Sequence, residues 1–284
     1  MPLLYRDLPG ELPPPSRLAL AYEVAGVPSG PPVVLVPGWT LNARLWDPVA
    51  PALEDRYRVV RYDPRGSGRS TSDPRLEYSR AADAEDLRAL LDGMEIARAH
   101  LVGHSKGAQL CGVFAMQHPE RVASLTYVGS AEPQGGPEQE RRFRPIASAW
   151  VRRVKEVART QGVEAALPLL QDARLFGKLR ASAEGLRRLR RATEGYTGAD
   201  LLSETPARAF DTEAHAAALA MPVLALCGEE DPFLDECRYA ASRIPGARLS
   251  MLPRCGHLPM LECPEPFRRE LRRFLDAASG NPAA

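Results

Sequence analysis

The stretch His100-Leu101-Val102-Gly103-His104-Ser105-Lys106-Gly107-Ala108 decides the fold. His100-Leu101-Val102 reads as a strand, and Ala108 to His118 as a helical run. Gly103-His104-Ser105-Lys106-Gly107 must therefore turn the chain from one to the other within five residues. A turn this sharp strains the backbone of its central residue and demands small neighbours, which is why glycine stands at both ends. It also leaves Ser105 at a helix N-terminus, where the helix dipole favours developing negative charge. The G-x-S-x-G pattern occurs by chance elsewhere; the strand before it and the helix after it give it meaning here.

Outward from that turn, short β-rich runs alternate with longer helical patterns. Val33-Val34-Leu35-Val36, Arg58-Val59-Val60-Arg61-Tyr62, Ser124-Leu125-Thr126-Tyr127-Val128, Val223-Leu224-Ala225-Leu226 and Arg248-Leu249-Ser250-Met251-Leu252 read as strands. Ala82 to Leu91 carries apolar residues at helical spacing. This alternation predicts an α/β fold, a doubly wound and mostly parallel sheet of about eight strands with helices on both faces. Leu18 to Glu23 adds an antiparallel edge hairpin. From Glu132 to Ala216 the pattern is helical without a convincing strand. The expected organisation is a core of residues 1–131 and 217–284, interrupted by a helical lid at 132–216. The tail from Ala277 to Ala284 reads as frayed.

Composition narrows the function classes. The 284 residues carry 37 Lys plus Arg against 36 Asp plus Glu, a net charge of +1, so nothing favours a nucleic-acid partner. A 44% hydrophobic content suits a chain that buries a full core. No apolar run approaches the ~20 residues of a membrane span, and the start Met1-Pro2-Leu3-Leu4-Tyr5-Arg6 lacks a signal-peptide pattern. The five cysteines, Cys111, Cys227, Cys237, Cys255 and Cys263, are odd in number and lack C-x-x-C spacing. They read as reduced thiols in the cytoplasm, with neither a disulfide framework nor a zinc site.

A serine hydroxyl is a poor nucleophile until a base takes its proton. Five histidines compete for that role. His100 lies in a strand, His104 within the turn, His118 at a helix end and His215 in the insertion. His257 follows the last strand, at the sheet edge where open α/β sheets place their sites, and completes the chain order Ser, acid, His. The acid should follow the preceding strand, where Glu229, Glu230 and Asp231 stand together. Asp231 is the choice, because its place before Pro232 suits a short side chain reaching an imidazole. An oxyanion needs two preorganised N–H donors. The backbone of Lys106 supplies one, and Trp39, in the loop Pro37-Gly38-Trp39-Thr40, the other. The Lys106 side chain is expected in solvent. Asp63-Pro64-Arg65-Gly66-Ser67-Gly68-Arg69-Ser70 lacks both common phosphate-loop patterns and reads as a structural loop. No metal or organic cofactor is implied.

With these residues in place, the sequence resembles an α/β-hydrolase of the lid-bearing serine esterase type over about residues 15 to 275. The Asp63 to Ser70 loop is similar to the family's D-x-R-G-x-G-x-S signature. Arg58 to Ser70, Met94 to Gly107 and Trp150 to Leu170 resemble the 3-oxoadipate enol-lactonases. Gly38-Trp39 resembles the arylesterase and cofactor-free perhydrolase branch, in which the Trp backbone supplies an oxyanion donor. Three features depart from the family pattern. Pro37-Gly38 replaces the usual His-Gly, Lys106 stands where Met or Leu is common, and the nucleophile is Ser where dehalogenases and epoxide hydrolases carry Asp. The H-G-G-P-G and G-G-S-W-G motifs of proline iminopeptidases are absent.

The resemblance implies hydrolysis of a small-molecule carboxylic ester or lactone through a Ser105 acyl-enzyme. A C–C bond hydrolase or lyase on the same triad, and a non-catalytic small-ligand receptor, are the alternatives. Arg141 to Arg191 holds fourteen basic residues and four acids. A solvated helix face explains this excess; a cationic lid that draws in anionic substrates is the sharper alternative.

Overall fold

In a computed structural model, residues 2–8, 17–129, 144–170, 173–206 and 216–280 are described. Eight strands form one sheet: β1 (Leu3–Asp7), β2 (Arg17–Gly26), β3 (Pro32–Val36), β4 (Arg58–Tyr62), β5 (Ala99–His104), β6 (Val122–Val128), β7 (Val223–Gly228) and β8 (Arg248–Leu252). Their spatial order is β1-β2-β4-β3-β5-β6-β7-β8. β1, β2 and β4 pair antiparallel, and every pairing from β4 to β8 is parallel. This is the mostly parallel α/β sheet expected from the sequence.

The antiparallel pair expected at the sheet edge around Leu18 to Glu23 is present, with β1 outermost: β1 pairs with β2 from Leu3↔Ala21 to Asp7↔Arg17. The residues of β1 alternate between exposed and half-buried, and Leu4 packs on the core beneath it, so the strand forms through backbone pairing with β2 and that one side-chain anchor.

The helices cover both faces. α1 (Arg80–Gly93) starts at Ser79, whose side chain accepts the Ala82 N–H as an N-cap. With α2 (Lys106–Gln117) it packs Leu87, Leu90, Leu91, Leu110 and Phe114 against Leu20, Val34, Val60 and Leu101. On the other face Phe267, Leu271 and Leu275 join Val33, Leu35, Trp46 and Val59. β3, β5 and β7 are covered on both sides, so they read as continuous apolar runs.

Between β6 and β7 the described residues form helices alone: α3 (Arg144–Gln161), α4 (Val163–Leu170), α5 (Ala173–Arg180), α6 (Ala183–Thr193) and α7 (Ala199–Leu202). They hold a small core of their own, with Val154, Val157, Ala166, Leu170 and Leu201. The outer parts of the expected 132–216 insertion, including His215, lie outside the described residues. Three further helices follow in the core: α8 (Leu234–Arg243), α9 (Pro259–Glu262) and α10 (Pro264–Ala278). α10 reaches into the expected frayed tail as far as Ala278, and residues 281–284 lie outside the described set.

The cysteine reading needs correction. Cys255 and Cys263 form a disulfide across a Cα separation of 6.3 Å, while Cys111, Cys227 and Cys237 are free and buried. The fold brings the pair together by turning the chain back through α9, which spacing alone does not reveal. With it, the thiol argument for a cytoplasmic location loses its support. No helix among the described residues is long and apolar enough to cross a membrane.

Candidate active site

The parallel strands point the same way, so the ends of β5, β7 and β8 open on one edge of the sheet. The turn after β5 holds Ser105 at φ 50° and ψ −120°, at the start of α2. Positive φ on a non-glycine residue costs of order 1–3 kcal/mol and persists only where the surroundings enforce it. Here the enforcement is close packing. A Cβ on Gly103 would meet the Gly107 carbonyl oxygen at 2.4 Å, and one on Gly107 would meet the Pro37 carbonyl oxygen at 2.4 Å. The Ser105 N–H donates to the Val128 carbonyl at 2.9 Å, tying the turn to β6.

Asp231, after β7, and His257, after β8, are 5% and 3% exposed. His257 Nδ1 lies 3.1 Å from each Asp231 carboxylate oxygen. Burial pushes the Asp231 carboxyl up. The facing His257, the Phe233 N–H at 2.9 Å and the Cys227 thiol at 3.4 Å outweigh it and hold the group below the usual carboxylate range. The competing acids point away. Glu229 and Glu230 are exposed, and Glu230 pairs with Lys178 at 2.7 Å.

Glu262, which the sequence reading did not name, and His104, which it weighed only as a base, position His257. Glu262 accepts the Gly256 N–H at 2.6 Å and the Leu258 N–H at 3.1 Å, clamping the backbone on both sides of the histidine. His104 Nε2 lies 2.9 Å from the His257 carbonyl, which can only accept, so Nε2 carries the proton. The two imidazole rings sit 4.8 Å apart. The His104 contact bridges loops 153 residues apart and the Glu262 contacts end on backbone N–H groups, so no residue pattern marks either.

His100 and His104 are structural. His100 bonds the Ser124 and Ser279 hydroxyls inside the core. Burial and then Arg98 push its pKa down to about 4; burial and then His257 push that of His104 to about 3. Both stay neutral in the fold, whereas the unfolded chain protonates them near pH 6.5. Below that pH the unfolded state binds more protons, so stability falls as pH drops from about 6.5 toward 4. The loss at pH 5 is at most about 2 kcal/mol per histidine. Urea midpoints at pH 7 and pH 5 check this: the midpoint should drop at pH 5, and by less in His100→Asn. An unchanged midpoint would show that these histidines are not held neutral.

The family model for the alpha/beta hydrolase fold matches residues 31–264. The chain belongs to the α/β-hydrolase family. This hydrolase is 30% identical over 270 residues to a protein named as a carbamate hydrolase, RutD, from Caulobacter sp. (strain K31), covering 90% of this chain and 95% of that one. Its structure is similar to a thermophilic esterase from Thermogutta terrifontis with malate bound. There the TM-score is 0.78 and the identity 27%, over 98% and 99% of the two chains. An enol-lactonase from Burkholderia xenovorans LB400 gives a TM-score of 0.73 and 25% identity over 91% and 96%.

In the hydrolase the loop Pro37-Gly38-Trp39-Thr40 packs directly on the serine turn. A Cβ on Gly38 would meet His104 Nδ1 at 2.7 Å and Ser105 Cβ at 3.1 Å. The Lys106 side chain corrects the solvent expectation. Its ammonium lies 2.7 Å from Asp83, whose side chain is 2% exposed. Asp83 also sits 3.7 Å from Arg65, and Arg65 makes two 2.6 Å bonds to Asp86. Arg65 is committed mainly to Asp86, and two buried carboxylates beside one guanidinium are costly, so the lysine is drawn inward to Asp83. The Asp63 to Ser70 loop is structural, as read: Asp63 accepts the Ala43 and Arg69 N–H groups at 2.8 and 2.9 Å. Among the described residues no group of three or more His, Cys, Asp or Glu side chains could hold a metal ion.

Proposed function

We propose that this hydrolase cleaves a carboxylic ester or lactone through a covalent Ser105 acyl-enzyme. The observation that carries the reading is the strained Ser105 on the sheet edge that also holds the buried His257–Asp231 pair. In this reading His257 removes the Ser105 proton as the hydroxyl oxygen attacks the carbonyl carbon. The backbone N–H groups of Trp39 and Lys106 hold the oxyanion. His257 then protonates the leaving alcohol and activates the water that releases the acid, while Asp231 fixes its tautomer. The insertion between β6 and β7 serves as the lid.

One relative favours a second reading. A carbamate presents the same acyl carbon to the same nucleophile, and a carbamate hydrolase is the name of a 30% identical protein. A panel of p-nitrophenyl esters, lactones, aryl carbamates, β-ketones and cyanohydrins separates the readings. Ester or lactone turnover with the highest kcat/KM is expected. Preference for the carbamate moves the substrate class, ketone or cyanohydrin cleavage alone moves the reaction, and no turnover points to a receptor.

The same panel tests the basic lid. Several of its cations are already spent on ion pairs: Arg153 with Glu156, Arg187 and Arg188 with Glu184, Arg191 with Asp47 and Lys178 with Glu230. A neutral ester and a matched one with a remote carboxylate should therefore be turned over alike at low and at high salt. An anion preference that shrinks as salt rises would restore the cationic lid.

A further inference from the structure

The loop proposed to supply an oxyanion donor is fastened from outside the core. The Trp39 indole Nε1 donates to Asp200 at 2.5 Å. Asp200 stands on α7 of the insertion, 161 residues along the chain. Its other oxygen accepts the Tyr196 hydroxyl at 2.7 Å, and the residue is 9% exposed. Burial and the Asp200 charge push the Tyr196 phenol up, so it stays a donor. Trp150 of α3 packs its ring edge-on against Trp39 at 5.5 Å.

The far end of the same loop is fastened to the same insertion. The Asn42 side-chain amide donates to the Arg191 and Glu194 carbonyls at 2.9 Å each, and its backbone N–H donates to the Ala192 carbonyl at 2.8 Å. Between the two anchors Thr40 sits at φ 67°, a conformation that a threonine keeps only under constraint. Free of these anchors, the loop could relax and turn the Trp39 N–H away. An oxyanion donor displaced by about an ångström loses much of its value, because it must meet the oxygen at ~2.7–3.1 Å.

We propose that Asp200 is a positioning residue: from the insertion it grips the Trp39 indole and so aims the Trp39 backbone N–H at the developing oxyanion. The inference rests on the acyl-enzyme reading and adds to it that the insertion forms part of the catalytic frame as well as a cover. An insertion joined to the loop in this way cannot swing clear at this edge without slackening the oxyanion arm.

The test compares wild type, Asp200→Ala, Asp200→Asn, Trp39→Phe and the Asp200→Ala/Trp39→Phe double variant on one p-nitrophenyl ester. Asparagine keeps an acceptor for the indole, and phenylalanine keeps a ring against Trp150 while removing the indole donor. Asp200→Ala should lose roughly 10- to 100-fold in kcat with KM within about twofold, below the ~10²–10³ cost of removing an oxyanion donor outright. Asp200→Asn should return to within about threefold of wild type. Trp39→Phe should match Asp200→Ala in kcat, and the double variant should be no worse than Asp200→Ala, because both remove the Trp39–Asp200 bond and the Tyr196 bond also lost with Asp200 lies within the insertion. Affinity for a trifluoromethyl ketone, which mimics the tetrahedral state, should weaken in step with kcat/KM.

Wild-type kcat in Asp200→Ala, a loss confined to KM, or additive losses in the double variant would overturn the proposal. So would a lowered melting temperature with kcat unchanged in the folded fraction. If Asp200→Ala does not fold, Trp39→Phe and Asp200→Asn carry the same comparison. Failure of the underlying reading looks different: wild type itself would turn over no ester.

Discussion

Ser105→Ala is expected to lower ester turnover by roughly 10⁴- to 10⁶-fold while leaving the melting temperature unchanged. The size follows from what the nucleophile does. Without it no acyl-enzyme forms, and only binding and the oxyanion donors remain to assist direct attack by water. The unchanged stability follows from the backbone. Alanine at φ 50° bears the same strain as serine, and the serine side chain makes no capping bond to the start of α2. Ser105→Gly is the informative companion. Glycine adopts this conformation freely, so it should be equally inactive yet as stable as wild type or up to ~1–2 kcal/mol more so. Inactivity, stability and labelling of Ser105 by a fluorophosphonate are then read together. A Ser105→Ala protein with an unchanged melting curve and more than about a tenth of wild-type rate would remove Ser105 from the nucleophile's role.

Asp231→Asn should cost about 10³- to 10⁴-fold in kcat, close to the effect of the same change in other triads. The carboxylate accepts from His257 Nδ1, the Phe233 N–H and the Cys227 thiol. An amide of the same shape can turn its NH₂ toward His257, which then holds its proton on the wrong nitrogen to take one from serine. It also removes the negative charge that stabilises the imidazolium. Glu229→Gln and Glu230→Gln should stay within about twofold of wild type, since both side chains are exposed and Glu230 is engaged with Lys178. An equal or larger loss at either glutamate would move the acid to that position.

Much of this arrangement was legible before any coordinates. The β-branched runs, the helical spacing of Ala82 to Leu91 and the glycine-flanked serine are local patterns, and strand, helix and sharp turn are decided by local sterics. They determined the parallel sheet, and the sheet in turn determined that Ser105, Asp231 and His257 would share an edge, because parallel strands end together. The fold then brought Asp231 and His257 to 3.1 Å as the chain order had suggested.

What the sequence left open, tertiary structure decided, because the partners are either far apart along the chain or brought together by a turn that the residue pattern does not specify. β1 forms because β2 offers it an edge. Lys106 turns inward because Asp83, on another helix, is a buried carboxylate that Arg65, shared with Asp86, approaches only to 3.7 Å. Cys255 meets Cys263 only after α9 folds the chain back. Glu262 and His104 reach the His257 loop through backbone groups, which leave no mark in a residue pattern. Asp200 finds Trp39 only once a helical insertion has settled on the sheet edge. Local chemistry selects the elements and the reacting groups. The contacts that aim those groups depend on how segments pack once the chain has folded, where a buried polar group is costly to leave without a partner.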